Sequence, residues 1–274
     1  RLLRAALMPL RLTKNAARLL RSALMADILT AYSITQPDKL AVIDDRPDGT
    51  ITTLTYRQLN EQANRLANVL LDLDARPGDT KVVWCGQNSP GLVVMINAAR
   101  KLGVTAVPLN YRLSDEEATY VTDHCDATIV YVDAEFASMF ARIRAQLPKV
   151  QHFLVFDGDA PPNMLDADAA MAAASPGEPD VPETTGTGST MIYTSGTTGK
   201  PKGAFRRSAG NPAQIAAMLG FVGYTPHDVY IPTGPLYHSG PGGFLGIAQA
   251  LGQTVVIQRK FDPLDWLRLV ETYK

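Results

Sequence analysis

Short apolar runs alternate with helical patterns of hydrophobic and polar positions between residues 34 and 157. The runs are rich in β-branched and other apolar residues and predict strands at 40–43, 51–54, 81–85, 105–108, 128–132 and 152–156. Helical patterns predict helices at 56–73, 92–102 and 134–147, and a further helix that starts near Ser114. Strands that alternate with helices predict an α/β fold whose largely parallel sheet is covered by helices on both faces.

The same alternation resumes after residue 188. It predicts strands at 189–193, 229–231 and 253–257, and helices at 212–219, 243–251 and from Pro263 to Lys274. The segment 158–188 is rich in Asp, Pro, Ala, Gly and Thr, which predicts a solvated acidic connection with one helical turn at 169–174. Its acids have no systematic spacing, so this interpretation is favoured over a metal site. We therefore expect a first α/β subdomain at 34–157, this connection at 158–188, and the start of a second α/β subdomain at 189–274.

Residues 1–33 form a separate region that is rich in Leu and Ala. A helical projection places Arg4, Arg11, Lys14, Arg18 and Arg21 on one face and Leu12, Ala16, Leu19, Leu20, Ala23 and Leu24 on the other. Such a basic amphipathic helix fits a peripheral contact with an anionic membrane, and it also fits a helix docked on its own domain. Pro9 would interrupt the helix in either case. A cleaved secretory signal is disfavoured, because the basic residues are spread along the whole segment.

Composition agrees with a soluble globular enzyme. Of 274 residues, 46% are hydrophobic and 19% charged, and the formal net charge of -1 provides no basic field for nucleic acid. No apolar run approaches the roughly 20 residues that cross a bilayer. The only cysteines, Cys85 and Cys125, are interpreted as small core residues and fit a reducing cytoplasm. A cytoplasmic location is expected, with peripheral contact at a membrane surface left open.

Candidate chemistry concentrates in residues 193–203, Tyr-Thr-Ser-Gly-Thr-Thr-Gly-Lys-Pro-Lys-Gly, directly behind a predicted strand. The hydroxyls, glycines and lysines that suit a polyphosphate are those of Thr194, Ser195, Gly196, Thr197, Thr198, Gly199, Lys200, Lys202 and Gly203. This predicts a phosphate-binding loop for a nucleoside triphosphate, with a solvated surface loop as the alternative. It is not a Walker A motif, because Gly196 and Gly199 are too close together and Pro201 follows Lys200.

Residues 191–204, Met-Ile-Tyr-Thr-Ser-Gly-Thr-Thr-Gly-Lys-Pro-Lys-Gly-Ala, resemble the signature loop of the adenylate-forming superfamily. That superfamily includes acyl-CoA synthetases, luciferases and the adenylation domains of peptide synthetases. Residues 235–240, Pro-Leu-Tyr-His-Ser-Gly, are similar to the segment that lines its carboxylate pocket. Residues 87–90 and 107–113 are typical of its acyl-CoA synthetases. The resemblance implies the layered α/β fold of the large amino-terminal domain of these enzymes, here truncated.

The resemblance also implies a reaction and roles for particular residues. ATP with Mg²⁺ would activate a carboxylic acid to an acyl adenylate, with a fatty acid as the expected substrate, and CoA would then accept the acyl group. The implied phosphate-binding residues are Thr194, Ser195, Gly196, Thr197, Thr198, Gly199, Lys200 and Lys202, with Lys200, Lys202 and His238 as catalytic residues. Thr194 would support Mg²⁺ or bind phosphate alone.

The implied acid pocket follows the predicted strand at 229–231. Its residues are Tyr237, His238, Gly240, Gly242 and Gly243. His238 would orient the acid or gate the pocket, and the glycines would leave room for an acyl chain or form a tight turn before a helix. The other histidines, His124, His152 and His227, are interpreted as surface or packing residues.

Several motifs of the superfamily are absent from this sequence. They are the adenine-binding segment, the aromatic-Gly-x-Thr-Glu motif, the ribose-binding Asp, and the carboxyl-terminal domain with its catalytic Lys. The sequence is therefore expected to be a fragment of a longer acyl-CoA synthetase. The alternatives are an adenylating enzyme that loads a carrier protein and a non-catalytic nucleotide-binding module. A homo-oligomer is left open.

Overall fold

A computed structural model of the chain describes residues 27–181, 188–194, 201–206 and 220–274. The helices in these ranges are α1 Ile28–Thr35, α2 Tyr56–Asp72, α3 Pro90–Leu102, α4 Asp115–His124, α5 Ala134–Ile143, α6 Ala167–Ala173, α7 Ser239–Ala250 and α8 Pro263–Tyr273. The strands are β1 Leu40–Asp45, β2 Ile51–Thr55, β3 Lys81–Cys85, β4 Thr105–Leu109, β5 Ile129–Asp133, β6 His152–Phe156, β7 Leu165–Asp166, β8 Ser189–Thr194, β9 Lys202–Arg206, β10 Val229–Tyr230 and β11 Thr254–Ile257. The helix predicted at 212–219 lies outside the described residues.

Seven of the described strands form the larger sheet, in the order β7-β6-β5-β3-β4-β8-β9. Neighbouring strands are parallel except for β8 and β9, which are antiparallel. β4 and β5 are buried along their whole length, as expected of central strands covered on both faces. This confirms the predicted α/β class and its parallel sheet.

Successive residues of β3 divide between two hydrophobic cores, one on each face of the larger sheet. Val82 and Trp84 pack in the core that contains α2 and α3, whereas Val83 and Cys85 pack in the core that contains α4 and α5. The alternation follows from the period of two residues along a strand. Cys125 is also buried in the second core, and burial raises the pKa of its thiol to about 11. Both cysteines are therefore packing residues, as predicted.

Side-chain caps fix where the main helices begin. Thr55 and Gln58 form a capping box at the start of α2, and Ser114 and Glu117 form one at the start of α4. These caps place the helix that was predicted near Ser114.

The smaller sheet joins distant parts of the chain. In the described residues its order is β10-β11-β1-β2, with β1 parallel to β11 and antiparallel to β2. β8 and β9 lie in the region predicted as the second subdomain, but they belong to the larger sheet, where β8 pairs with β4. Neither sheet therefore coincides with one of the two α/β regions predicted from composition. Strand patterns identify strands, but they do not identify pairing partners far away in sequence.

The acidic connection predicted at 158–188 is not wholly solvated. β7 extends the larger sheet beside β6, and α6 is longer than the single turn predicted at 169–174. Ala167 and Met171 of α6 are buried. Glu178 accepts hydrogen bonds from Lys101, Asn60 and Asn64. Most of residues 165–178 are exposed, as predicted, but Ala167, Met171 and Glu178 are packed against or bonded to the rest of the fold.

The described part of the predicted amino-terminal helix is docked on the domain. α1 begins at Ile28, and the side chain of Asp27 caps it by accepting from the Leu29 amide. The helix predicted to run through 1–33 therefore has a boundary at Asp27, and its residues 1–26 lie outside the described ranges. In those ranges, no helix has the length and apolar character that a bilayer span requires.

Candidate active site

The strands on either side of the predicted phosphate loop, β8 and β9, form a β-hairpin. β8 and β9 pair in antiparallel register, with Tyr193 opposite Gly203 and Thr194 opposite Lys202. Thr194 and Lys202 are both exposed. The structure thus brings together the two residues that flank the loop. The other predicted loop residues, Ser195, Gly196, Thr197, Thr198, Gly199 and Lys200, lie outside the described residues.

Gly203 packs closely against the neighbouring strand. It lies within β9, and a Cβ atom added there would be 3.1 Å from Met191 Sδ and 3.2 Å from Tyr193 Cζ. A side chain at this position would therefore press on these two cross-strand side chains. The strand itself was missed, since it is short and follows directly on a loop motif.

Helix α4 anchors both arms of the hairpin. The Tyr193 hydroxyl and His124 Nδ1 are 2.7 Å apart, and the Tyr120 hydroxyl donates to the Pro201 carbonyl at 3.2 Å. Burial raises the pKa of Tyr193, so this phenol stays protonated. His124 is exposed and packs edge-on against Tyr193. It is thus a surface and packing residue, as interpreted from the sequence, and it also holds the strand that precedes the loop.

The predicted acid-pocket segment packs on the residues that follow β4. Tyr237 is buried, and its ring meets Tyr111 edge-on with 5.5 Å between centroids. The His238 ring lies 4.5 Å from that of Tyr237 and is exposed. His238 occupies the N-cap position of α7 without a side-chain cap bond. Its imidazole is therefore available to a ligand.

These two parts of the site lie at one edge of the larger sheet. β4 and β8 are parallel neighbours, so Tyr111 and Thr194 follow or end adjacent strands at the same carboxyl edge. In open α/β sheets this edge is where ligands bind. Because Tyr111 packs on Tyr237, the Tyr237–His238 segment lies at the end of the strand next to β8.

The three glycines of the predicted pocket belong to the first turns of α7, which begins four residues earlier than predicted. A Cβ atom at Gly240 or Gly243 would meet no atom within 4 Å in the described structure. A Cβ atom at Gly242 would lie 2.7 Å from the Leu236 carbonyl oxygen. Gly242 is therefore required for close packing, whereas Gly240 and Gly243 border open space.

An arginine network that was not predicted lies at the same carboxyl edge. Arg259 follows β11 and pairs with Asp133 at 2.9 Å, Glu135 at 3.2 Å and Asp157 at 2.9 Å. Burial raises the pKa of Asp133, and the nearby arginine opposes that shift. The network links the smaller sheet to the ends of β5 and β6. Asp157, which directly precedes the predicted acidic connection, is therefore an ion-pair partner.

The described residues contain no group of three or more His, Cys, Asp or Glu side chains that could hold a metal ion. Thr194, the residue predicted to support Mg²⁺, is among the described residues and is exposed. A hydroxyl oxygen suits a hard cation that is carried by a nucleotide.

The sequence pattern of the AMP-binding enzyme family matches residues 31–274. This chain belongs to the AMP-binding enzyme family. The resemblance inferred from the loop, pocket and upstream motifs is thereby confirmed.

Individual relatives are acyl-CoA ligases. A 3-methylmercaptopropionyl-CoA ligase from Ruegeria lacuscaerulensis is 27% identical over 241 residues, covering 85% of this chain and 44% of the relative. A long-chain-fatty-acid–CoA ligase from Thermus thermophilus is 31% identical over 193 residues, covering 69% of this chain and 35% of the relative. The crystal structure of the N-terminal domain of FACL13 from Mycobacterium tuberculosis superposes with a TM-score of 0.77 and 26% identity. That match covers 90% of this chain and 61% of the solved one.

This AMP-binding family member spans less than half the length of these two curated relatives. Within that span, the structure brings Thr194, Lys202, Tyr237 and His238 to one sheet edge. Sequence reasoning missed the contacts of Asn88 and Arg259. Asn88 lies in the 87–90 motif, and its side chain bonds the backbone of Gly234, Leu236 and Gln258.

Proposed function

We propose that this protein takes part in the ATP-dependent activation of a carboxylic acid to an acyl adenylate, followed by transfer of the acyl group to CoA. The observation that carries the proposal is the placement of the Thr194–Lys202 pair and the Tyr237–His238 segment at one carboxyl edge, in a chain of the AMP-binding family. One part offers hydroxyl and ammonium groups for phosphates. The other offers an exposed imidazole beside the glycines at the start of α7.

The chemistry requires both parts. A carboxylate oxygen attacks the α-phosphorus of ATP, the bond to the bridging oxygen breaks, and pyrophosphate leaves as the acyl adenylate forms. The CoA thiol then attacks the acyl carbon, loses its proton, and expels AMP. Lys200, Lys202 and Thr194 would bind the phosphates and offset the charge that grows on pyrophosphate. His238 would orient the carboxylate for attack. Mg²⁺ bound with ATP would supply further neutralising charge, with the Thr194 oxygen beside it.

The acid is proposed to be hydrophobic, with fatty acids as the first candidates. Gly240 and Gly243 leave open space at the start of α7, and the nearby Phe244 is 46% exposed. Two of the relatives are named for a long-chain fatty acid and for 3-methylmercaptopropionate, acids with an apolar chain, and others are named for ferulate and 2-succinylbenzoate. Incubating the protein with ATP, Mg²⁺, CoA and acids of graded length tests this, with acyl-CoA and AMP measured by mass spectrometry. Acyl-CoA formation from an apolar acid supports the proposal, and loading of a phosphopantetheinylated carrier protein instead of CoA would replace it.

Changing Lys200 and Lys202 together to Ala should raise the apparent KM for ATP about tenfold or more, because each ammonium offers charge-assisted hydrogen bonds to phosphate oxygens. The KM for the acid should change much less. The matched control is Lys149→Ala, which removes an exposed lysine paired with Asp123 and Asp126. An unchanged KM for ATP in the double variant would remove both lysines from the site.

We also propose a cytoplasmic protein whose residues 1–26 contact anionic membranes. The support is the basic face formed by Arg4, Arg11, Lys14, Arg18 and Arg21 opposite an apolar face. Deletion should stop before Asp27, because Asp27 and Thr30 contact Lys101 inside the fold. Removing residues 1–26 should abolish co-sedimentation with anionic liposomes and leave binding to neutral ones unchanged. Equal sedimentation of both forms would discard the membrane contact.

The oligomeric state is a separate question. Size-exclusion chromatography with light scattering decides between a monomer and a homo-oligomer.

A further inference from the structure

Asn88 lies in the connection between β3 and α3, and its side chain joins three separate backbone groups. Its Nδ2 donates to the Gly234 carbonyl and to the Gln258 carbonyl, each at 3.1 Å. Its Oδ1 accepts from the Leu236 amide at 2.8 Å. The residue is only 5% exposed. The side chain therefore connects the segment before α7 with the residue that follows β11.

This combination of contacts requires an amide side chain. Asn provides two N–H donors and one carbonyl acceptor in a single plane, and here both donors and the acceptor are engaged. A carboxylate in its place would accept from Leu236 but could donate to neither carbonyl. Because the site is buried, carbonyls left without a donor would favour a different position of the segment.

The Leu236 backbone is held from two directions. Its amide donates to Asn88 Oδ1. Its carbonyl oxygen lies so close to Gly242 that any side chain at position 242 would collide with it. The His238 amide donates to the Pro235 carbonyl at 3.1 Å and closes the turn. Tyr237 and His238 follow Leu236 directly. The orientation of their side chains therefore depends on where Asn88 holds the Leu236 backbone.

We infer that Asn88 is a positioning residue for the acid pocket: it sets the orientation of Tyr237 and His238 at the carboxyl edge without touching the acid. This inference rests on the proposed function, because it assigns Asn88 to the acid half of the proposed site and not to the phosphate half. Thr194 and Lys202 belong to a hairpin that α4 anchors through Tyr120 and His124, and Asn88 makes none of those contacts.

The kinetic test compares Asn88→Asp with wild type in acid-dependent exchange of pyrophosphate into ATP. The KM for the acid should rise about tenfold to hundredfold, as expected when a reacting group is displaced by about 1 Å. The KM for ATP should change less than about twofold. Asn88→Ser, which replaces the amide by one hydroxyl that is still able to donate, should give an intermediate rise and serves if the Asp variant does not fold.

Asn64 offers a matched control. It is 2% exposed and likewise donates from a buried amide, to the Pro176 carbonyl at 2.9 Å and to Glu178, but it lies on α2 away from the pocket segment. Asn64→Ala should lower stability and leave the KM for the acid unchanged. A rise in that KM for the Asn88 variants alone supports the inference. Equal effects of Asn64 and Asn88 variants, or an unchanged acid KM in the Asn88 variants, would overturn it.

A second readout is independent of activity. In Asn88→Ser, whose shorter side chain withdraws the acceptor, the Leu236 amide should exchange with deuterium faster. In both Asn88 variants the imidazole NMR signals of His238 should shift while those of His152 on β6 stay in place. Unmoved His238 NMR signals would overturn the inference even in a protein that does not exchange pyrophosphate into ATP. If wild type shows no acid-dependent pyrophosphate exchange while the His238 signals move in the variants, the result would count against the proposed function.

Discussion

Replacing Lys101 by Met is expected to lower the free energy of unfolding by about 3 kcal/mol, the usual scale for removing one member of a buried ion pair. The Lys101 side chain is 1% exposed and contacts Asp27, Thr30 at 2.8 Å and Glu178 at 2.9 Å. Met fills a similar volume, so the loss reports charge and hydrogen bonding more than packing. Two carboxylates would be left together without their cation, in a place where α1, α2, α3 and the segment after α6 meet.

The same variant should change how stability depends on pH. Burial acts to raise the pKa of Glu178, but attraction to Lys101 and hydrogen bonds from Lys101, Asn60 and Asn64 outweigh it, so the pKa is lowered from 4.5. A carboxyl whose pKa is lower in the folded state stabilises the fold above its unfolded pKa. That stabilisation is lost as the pH falls through the folded value. Wild type should therefore lose stability below about pH 4.5, and Lys101→Met should lose less over the same range.

Urea denaturation at neutral pH and across the acidic range measures both effects. Lys149→Met is the control, since Lys149 also contacts two carboxylates but is exposed at the surface. Surface ion pairs contribute little, so this variant should denature close to wild type. Equal losses from the two lysine variants would show that burial of Lys101 has no special energetic role.

Adjacent glycines of α7 should respond in opposite directions. Gly242→Ala is expected to lower the free energy of unfolding by about 1 to 3 kcal/mol, because the new Cβ atom would press on a backbone oxygen that cannot rotate away. That oxygen belongs to Leu236, at 2.7 Å. Gly243→Ala should raise stability by about 0.5 to 1 kcal/mol, since Ala favours the helix and meets no atom there. Thermal and urea denaturation of the two variants provide the comparison.

Larger side chains at Gly243 extend this prediction to function. Because the position borders open space beside the proposed pocket, Gly243→Leu should leave the fold intact and disfavour long acids relative to short ones. The ratio of kcat/KM for the two acids is the measurement. Identical ratios in wild type and variant would place the acyl chain elsewhere.

The sequence predicted most elements because their signals are local. The strands at 81–85 and 152–156 coincide with β3 and β6, where apolar runs lie between turn residues. Pairing was not predictable in the same way: β1 lies beside β11, over 200 residues later, and both join the smaller sheet. The acids of the connection also gave no local sign of their partners, since Glu178 and Lys101 are 77 positions apart.

In the site, too, local motifs were predictable from the sequence, whereas contacts between distant segments were not. Motif resemblance identified Thr194, Lys202, Tyr237 and His238, and the fold places all four at one edge. The groups that hold them there, such as the Asn88 amide and the Tyr120 hydroxyl, act on backbone atoms of remote segments. Backbone acceptors have no sequence signature, so these roles become visible only in three dimensions.

The central claim is tested most directly by exchange of labelled pyrophosphate into ATP, with and without carboxylic acids of several chain lengths. Exchange isolates the first half-reaction and needs no CoA. It should be run on this 274-residue chain and on the longest open reading frame that contains it. We predict exchange that depends on an apolar acid in at least the longer form. ATP binding without acid-dependent exchange in either form would contradict adenylation and favour a non-catalytic nucleotide-binding module.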